Sequence, residues 1–210
     1  ETSMMPAPDY DSYTFIFHFA PKNETGGDGM EHLTSTQIIE TDTLSSKDGY
    51  EDGLSTAAHE FFHVWNVKRL RPVGLGPWDF TKPVNTQGLF IAEGFTNYYG
   101  KMHLQRGGIW TDKDLIESYS RTISLIENSP GSKLTSAVEA SLIAPFLDRA
   151  TRVQNTNIAN TTVSYYPKGE LVGLTLDLMI RKRSNGKKSL DDVMRTAYNE
   201  FYVKSPKNTY

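Results

Sequence analysis

The stretch Ala57-Ala58-His59-Glu60-Phe61-Phe62-His63-Val64-Trp65 decides how this chain is read. Ser55 or Thr56 can cap a helix just ahead of it, and the apolar flanks predict a buried helix running to about Asn66. Four residues of α-helix advance ~400° and ~6 Å, so His59 and His63 leave the same face one turn apart. Two imidazoles so placed can bind one tetrahedral zinc ion at ~2.0–2.1 Å. Glu60 is rotated ~100° from His59. It can reach a water held at such an ion without being a ligand, which is the mechanical content of H-E-x-x-H.

A catalytic zinc needs a third protein ligand and an open position. The spacing H-E-x-x-H-x18-E would put that ligand at Lys82, which cannot serve. Pro72, Pro77 and Pro83 with several glycines forbid a regular helix over residues 71–88. A second helix is predicted over Leu89 to Gln105, and it carries Glu93 inside the apolar run Leu89-Phe90-Ile91-Ala92-Glu93-Gly94-Phe95. An unpaired carboxylate there would be costly, which favours Glu93 as the third ligand over its rival Asp79, in the Pro/Gly-rich connection. Among the other histidines, His18, His32 and His103 are weaker candidates, and His103 is expected on an exposed face. Asn97, one turn after Glu93, can support a ligand by a hydrogen bond or be a surface residue. Lys68, Arg69 and Arg71 read as a small solvated basic cluster.

Upstream, Tyr13, Phe15, Phe17 and Phe19 alternate with polar or β-branched neighbours, a strand pattern over residues 12–20. Gly26-Gly27-Asp28-Gly29 reads as a turn, Met30 to Glu40 as a second strand, and residues 41–53 as a loop. Downstream, Thr111 with Asp114 resembles a capping box for a helix to about Asn128, broken by Ser129-Pro130-Gly131. A shorter helix is expected near 136–148, an irregular Asn/Thr-rich stretch over 151–164, and an apolar helix from Lys168 to Arg183. Ser189 with Asp192 caps the last helix, to about Tyr202. The order predicts an α+β fold: a β-rich part over residues 1–50 and a helical part over 51–210 that carries the metal site.

Composition narrows the classes. The 210 residues carry a net charge of −3 and no cysteine. Disulfides, cysteine-ligated metals and a cysteine nucleophile are excluded, so metal chemistry falls to His, Asp and Glu. The charge balance argues against nucleic acid as the main partner, and no apolar run approaches the ~18–20 residues of a membrane span. The chain opens at Glu1 and reads as a trimmed fragment, and no compartment follows from the sequence.

Beyond these residue-level readings, the run His59 to Pro72 followed by Ala92-Glu93-Gly94-Phe95-Thr96-Asn97-Tyr98-Tyr99 resembles the M61 family of gluzincin metallopeptidases, the glycyl aminopeptidases. Gly29-Met30-Glu31-His32 is similar to the G-x-M-E-N element of the related M1 aminopeptidases, and Tyr166-Pro167-Lys168-Gly169 to their Y-x-K-G element. The resemblance spans about residues 10 to 202. It implies a thermolysin-like zincin catalytic domain, with the N-terminal β-domain and C-terminal PDZ domain of the family absent from this chain.

It also implies roles. One zinc ion per chain on His59, His63 and Glu93 would serve hydrolysis of a peptide or protein substrate with Glu60 as general base. Tyr166, or Tyr165 if the register shifts by one, would donate to the oxyanion. Glu31 would hold the substrate's α-ammonium, making the enzyme an aminopeptidase for small N-terminal residues such as Gly or Ala. An endopeptidase using the same site and a non-catalytic zinc-containing binding module are the alternatives.

Overall fold

A computed structural model describes residues 1–22, 24, 26–76, 79–148, 157–205 and 209–210. It is an α+β fold with a small three-stranded sheet and a mainly helical remainder. Strands β1 (Thr14–Phe19), β2 (Asp28–Glu31) and β3 (Ser35–Glu40) lie in the order β1-β3-β2. β1 runs parallel to β3, with Thr14 opposite Ser35, and β2 antiparallel, with Glu31 opposite Thr36. The single strand expected over 30–40 is therefore a hairpin. His32 N–H donates to the Ser35 carbonyl at 2.8 Å and closes the turn, and Asp28 and Gly29 belong to β2. β1 is an edge strand whose Phe15, Ile16 and Phe19 remain exposed.

Helix α1 (Lys47–Phe62) starts inside the stretch read as a loop. Its cap is Ser46, whose hydroxyl accepts the Gly49 N–H at 3.0 Å, so neither Ser55 nor Thr56 begins it. Gly49 argued for a loop in the sequence, yet it is required in the helix: a β-carbon there would overlap the Thr43 carbonyl oxygen. The chain then passes through turns to Leu70, with Trp65 fully buried and its indole N–H donating to the Pro6 carbonyl at 2.8 Å. The basic cluster is not a solvated face, because Arg69 is buried, donates to the Val64 carbonyl and pairs with Asp9.

The helix expected over 89–105 is two structures in series: a π-helix, Phe90–Phe95, and α2, Thr96–Arg106. α2 packs on α1, with the Phe62 and Tyr99 rings stacked at 4.5 Å. His103 is buried against those two rings, contrary to the exposed position expected, and burial presses its pKa down to about 3.

α3 (Asp112–Asn128) has the capping box read from Thr111 and Asp114. A 3-10 turn (Pro130–Lys133), α4 (Ala137–Leu142) and α5 (Ala144–Leu147) follow, so the helix expected near 136–148 is broken at Ile143, ahead of Pro145. Residues 151–156 of the irregular stretch, like Pro77 in the connection, lie outside the described residues. α6 (Ile158–Thr161) forms one turn. α7 (Tyr165–Arg183) begins earlier than expected because Ser164 caps it and the first turn tolerates Pro167. Asn185 and Gly186, with φ of 51° and 76°, turn the chain into α8 (Leu190–Tyr198), whose Ser189/Asp192 capping box is as read, and a π-turn over Asn199–Val203 ends it.

One buried carboxylate ties these helices together. Asp177 accepts from Tyr98 Oη at 2.8 Å, Arg181 Nε at 2.7 Å and the Leu190 N–H at 2.7 Å, joining α2, α7 and α8. No helix among the described residues is long and apolar enough to cross a membrane.

Candidate metal centre

The last turn of α1 and the π-helix face each other, and that contact builds the site. His59 Nε2 and His63 Nε2 are 3.0 Å apart. Glu93 Oε2, 34 positions along the chain from His59, lies 3.2 Å from His59 Nε2 and 3.3 Å from His63 Nε2. Three donors sharing a tetrahedral ion at ~2.0–2.1 Å would stand ~3.3 Å from one another, so this triangle fits a zinc-sized cation. His59, Glu60 and His63 also present potential ligand atoms within 4.8 Å of one another. The His59–His63–Glu93 triangle is the tighter of the two sets, and it brings the expected third ligand, Glu93, against both imidazoles.

The ring tautomer supports the same arrangement. His63 Nδ1 is 2.6 Å from the Asn66 carbonyl oxygen, which can only accept, so Nδ1 carries a proton and Nε2 is the nitrogen that faces Glu93 and His59, free to offer a lone pair once the ring is neutral. Converging donor atoms of this kind repel unless a cation or proton sits among them. Burial pulls the His63 pKa down, but the charge and hydrogen bond of Glu93, with Glu31 and Glu60 nearby, lift it to about 9. For Glu93, burial pushes the pKa up, and the facing imidazoles outweigh it to hold the carboxyl well below its usual range. The pocket thus concentrates carboxylates around two imidazoles, a field that favours a cation.

Asn66 joins the two walls. Its side-chain amide donates to the carbonyls of Ile91 at 3.0 Å and Ala92 at 3.3 Å in the π-helix, and lies 3.1 Å from Thr96 Oγ1. A π-helix sets its hydrogen bonds at i→i+5, and such irregular turns recur at functional sites. A fully buried Asn needs partners, and its place within the apolar run Val64-Trp65-Asn66-Val67 is the sequence signal for it.

Glu60 is buried beside the triangle, and its Oε2 has no hydrogen-bond partner among the described residues. Burial raises its pKa, against the lowering pull of His59 and His63. Strand β2 lies against it, for a β-carbon on Gly29 would overlap the Glu60 carboxylate. Tyr166 lies in the first turn of α7 with its ring centroid 6.2 Å from that of His59, and burial, then the Glu93 charge, raises its hydroxyl pKa. Gly94 and Gly169 make that approach possible, since a β-carbon on either would overlap the backbone of the other helix. Lys168, next to Gly169, is turned away and donates to the carbonyls of Ser132 and Thr135, both at 2.6 Å.

Glu31, at the end of β2, pairs with Lys68 at 3.0 Å, both side chains mostly buried. Lys68 was not foreseen in the site. Asn97 is half-buried on the first turn of α2, with no hydrogen bond to His59, His63 or Glu93 among the described residues. Asp79 is an exposed turn residue bonded to Thr81 and Lys82.

With this geometry in place, the sequence model of the M61 glycyl aminopeptidases matches residues 52–172, and the chain belongs to that family. The crystal structure of an aminopeptidase N family protein from Idiomarina loihiensis superposes with a TM-score of 0.87 at 32% identity, covering 97% of this chain and 35% of that one. The chain thus spans about a third of that neighbour. No curated protein gives a significant sequence match.

Proposed function

We propose that this chain carries the active site of a zinc-dependent peptidase with a thermolysin-like zincin architecture. The observation that carries this reading is the convergence of His59 Nε2, His63 Nε2 and Glu93 Oε2 within 3.0–3.3 Å, with the buried Glu60 beside them. These three residues would hold the zinc ion. When bound, zinc supplies Lewis acidity, polarising a peptide carbonyl and lowering the pKa of water toward ~7.

The chain's own residues do the remaining work. Glu60, its pKa raised by burial, takes a proton from the attacking water and passes it to the leaving amine. Tyr166, its hydroxyl kept protonated by burial and by the Glu93 charge, donates to the developing oxyanion. Glu31 holds the free α-ammonium, which makes the enzyme an aminopeptidase acting on small N-terminal residues such as Gly or Ala.

One observation favours a second reading. Glu31 is already paired with Lys68, so a substrate amine must share that carboxylate. An endopeptidase would need no such sharing. Free-amine and N-acetylated forms of one peptide separate the two: only the free amine is cleaved by an aminopeptidase, and equal cleavage removes the proposed role of Glu31. Metal analysis beside Glu60→Gln tests the core of the proposal. About one zinc per chain is expected in both proteins, with hydrolysis lost in the variant. Absence of zinc, or full activity in Glu60→Gln, would sink the mechanism.

A further inference from the structure

A cavity of about 340 Å³ opens where α3, α5, α6 and the start of α7 meet. Its lining includes Leu125, Ile143, Leu147, Ile158 and Val163, with the Tyr165 ring as one wall. Asp148 is the charged residue among those that line it, and it is exposed. Its volume sits at the small end of the ~300–1,000 Å³ usual for ligand pockets. Aliphatic walls offer few hydrogen bonds, so the occupant is apolar. Leu125 leaves 60% of its surface exposed, and apolar surface left uncovered is costly.

What selects the occupant is continuity with the metal centre. Tyr165 stacks on Tyr166 at 4.8 Å between ring centroids, and Tyr166 in turn lies 6.2 Å from His59. The same ring that walls the cavity therefore touches the group beside the metal ligands. A peptide advances ~3.3–3.6 Å per residue, so a chain cleaved at His59 reaches the cavity about two or three residues from the broken bond.

We infer that this cavity is a specificity pocket for a large apolar side chain of the peptide substrate, about two or three residues from the scissile bond. The inference rests on the peptidase reading above. It divides recognition: a small residue is accepted at the terminus and a Leu- or Phe-like residue is read further along. Asp148 at the rim sets the sign of the discrimination against acidic residues there.

The test is a peptide series in which each position in turn is Gly, Leu, Phe or Asp, offered to the zinc-loaded chain. At one position about two or three residues from the cut, kcat/KM for Leu or Phe should exceed that for Gly by about tenfold or more, with Asp below Gly. Leu125→Glu and Leu147→Trp should collapse the Leu-to-Gly ratio to about twofold or less. Ile116→Glu, on α3 but outside the cavity, should leave the ratio unchanged. A flat profile, or a ratio that survives both cavity variants, overturns the inference while leaving the peptidase reading intact.

If no peptide is cleaved, the peptidase reading fails by itself, and binding decides the pocket. Fluorescence polarisation with labelled Leu- and Gly-containing peptides on zinc-loaded Glu60→Gln should show about tenfold tighter binding of the Leu peptide. Adding Leu125→Glu should remove the difference. Equal binding of the two peptides overturns the inference.

Discussion

The Asn66 carbonyl oxygen lies 2.6 Å from Nδ1 of His63, while the amide of the same residue grips the π-helix that carries Glu93. One residue thus fixes the tautomer of one candidate ligand through its backbone carbonyl and the position of another through its side chain. Asn66→Ala keeps the carbonyl but strands the acceptors of Ile91 and Ala92. Leaving buried polar groups unpaired costs about 1–3 kcal/mol, and loss of such support weakens metal binding about 10–100-fold. Urea denaturation and chelator competition for zinc measure the two effects. Wild-type zinc affinity in Asn66→Ala would show that the π-helix holds Glu93 unaided.

Gly29 is the floor under Glu60. In Gly29→Ala the new methyl must displace the Glu60 carboxylate, because β2 is held by its pairing with β3. If Glu60 is the general base proposed, a displacement of this kind costs about a hundredfold in rate. kcat should fall by that order while zinc content stays at the wild-type level. A variant with unimpaired kcat would remove Glu60's dependence on the strand.

Gly94 and Gly169 meet backbone to backbone where the π-helix crosses α7. A methyl on either must separate the helices, a strain of about 1–3 kcal/mol or more. Gly94→Ala should lower the thermal midpoint, and because the clash pushes Tyr166 from Glu93, the surviving folded protein should lose more in kcat than in KM. An unshifted midpoint would contradict the close crossing.

Asp177 gives a pH signature away from the candidate metal centre. Burial raises its carboxyl pKa, but the bonds from Arg181, the Leu190 N–H and Tyr98 outweigh this and lower it. A pKa lowered by folding contributes stability that is present above the unfolded value of ~3.9 and lost as pH falls through the folded value. Asp177→Asn should therefore flatten the stability profile of the protein below about pH 4. Asp177→Ala should cost about 2–4 kcal/mol at neutral pH, since it strands buried donors. Parallel pH profiles for wild type and Asp177→Asn would refute the linkage.

Much of the site was legible because its signals are local. The His59/His63 spacing is one helical turn, and Glu93 stood out as an acid in an apolar run. Thr111 and Ser189 announced their helices through capping residues three positions away. What escaped depends on distant partners. Gly49 reads as a loop residue until Thr43 is seen to press against it. His103 reads as exposed until Phe62 and Tyr99 close over it. The Lys68–Glu31 pair joins the sheet to the turns that follow α1 and has no periodicity to betray it. The hairpin at His32–Thr34 lacks the Gly or Asn that marks a tight turn, so two strands read as one.

The π-helix has a consequence for how this sequence can vary in length. Among the described residues of the connection over 71–88 no helix counts residues, so insertions and deletions there cost mainly loop entropy. Within Phe90–Phe95 each residue fixes the rotation of those around it. Deleting one would rotate one flank relative to the other by one residue's share of a turn, somewhat less than the ~100° of an α-helix. Either Glu93 would leave the two imidazoles, or Gly94 would leave its seat on Gly169. The interval between His63 and Glu93 is elastic at its near end and rigid at its far end.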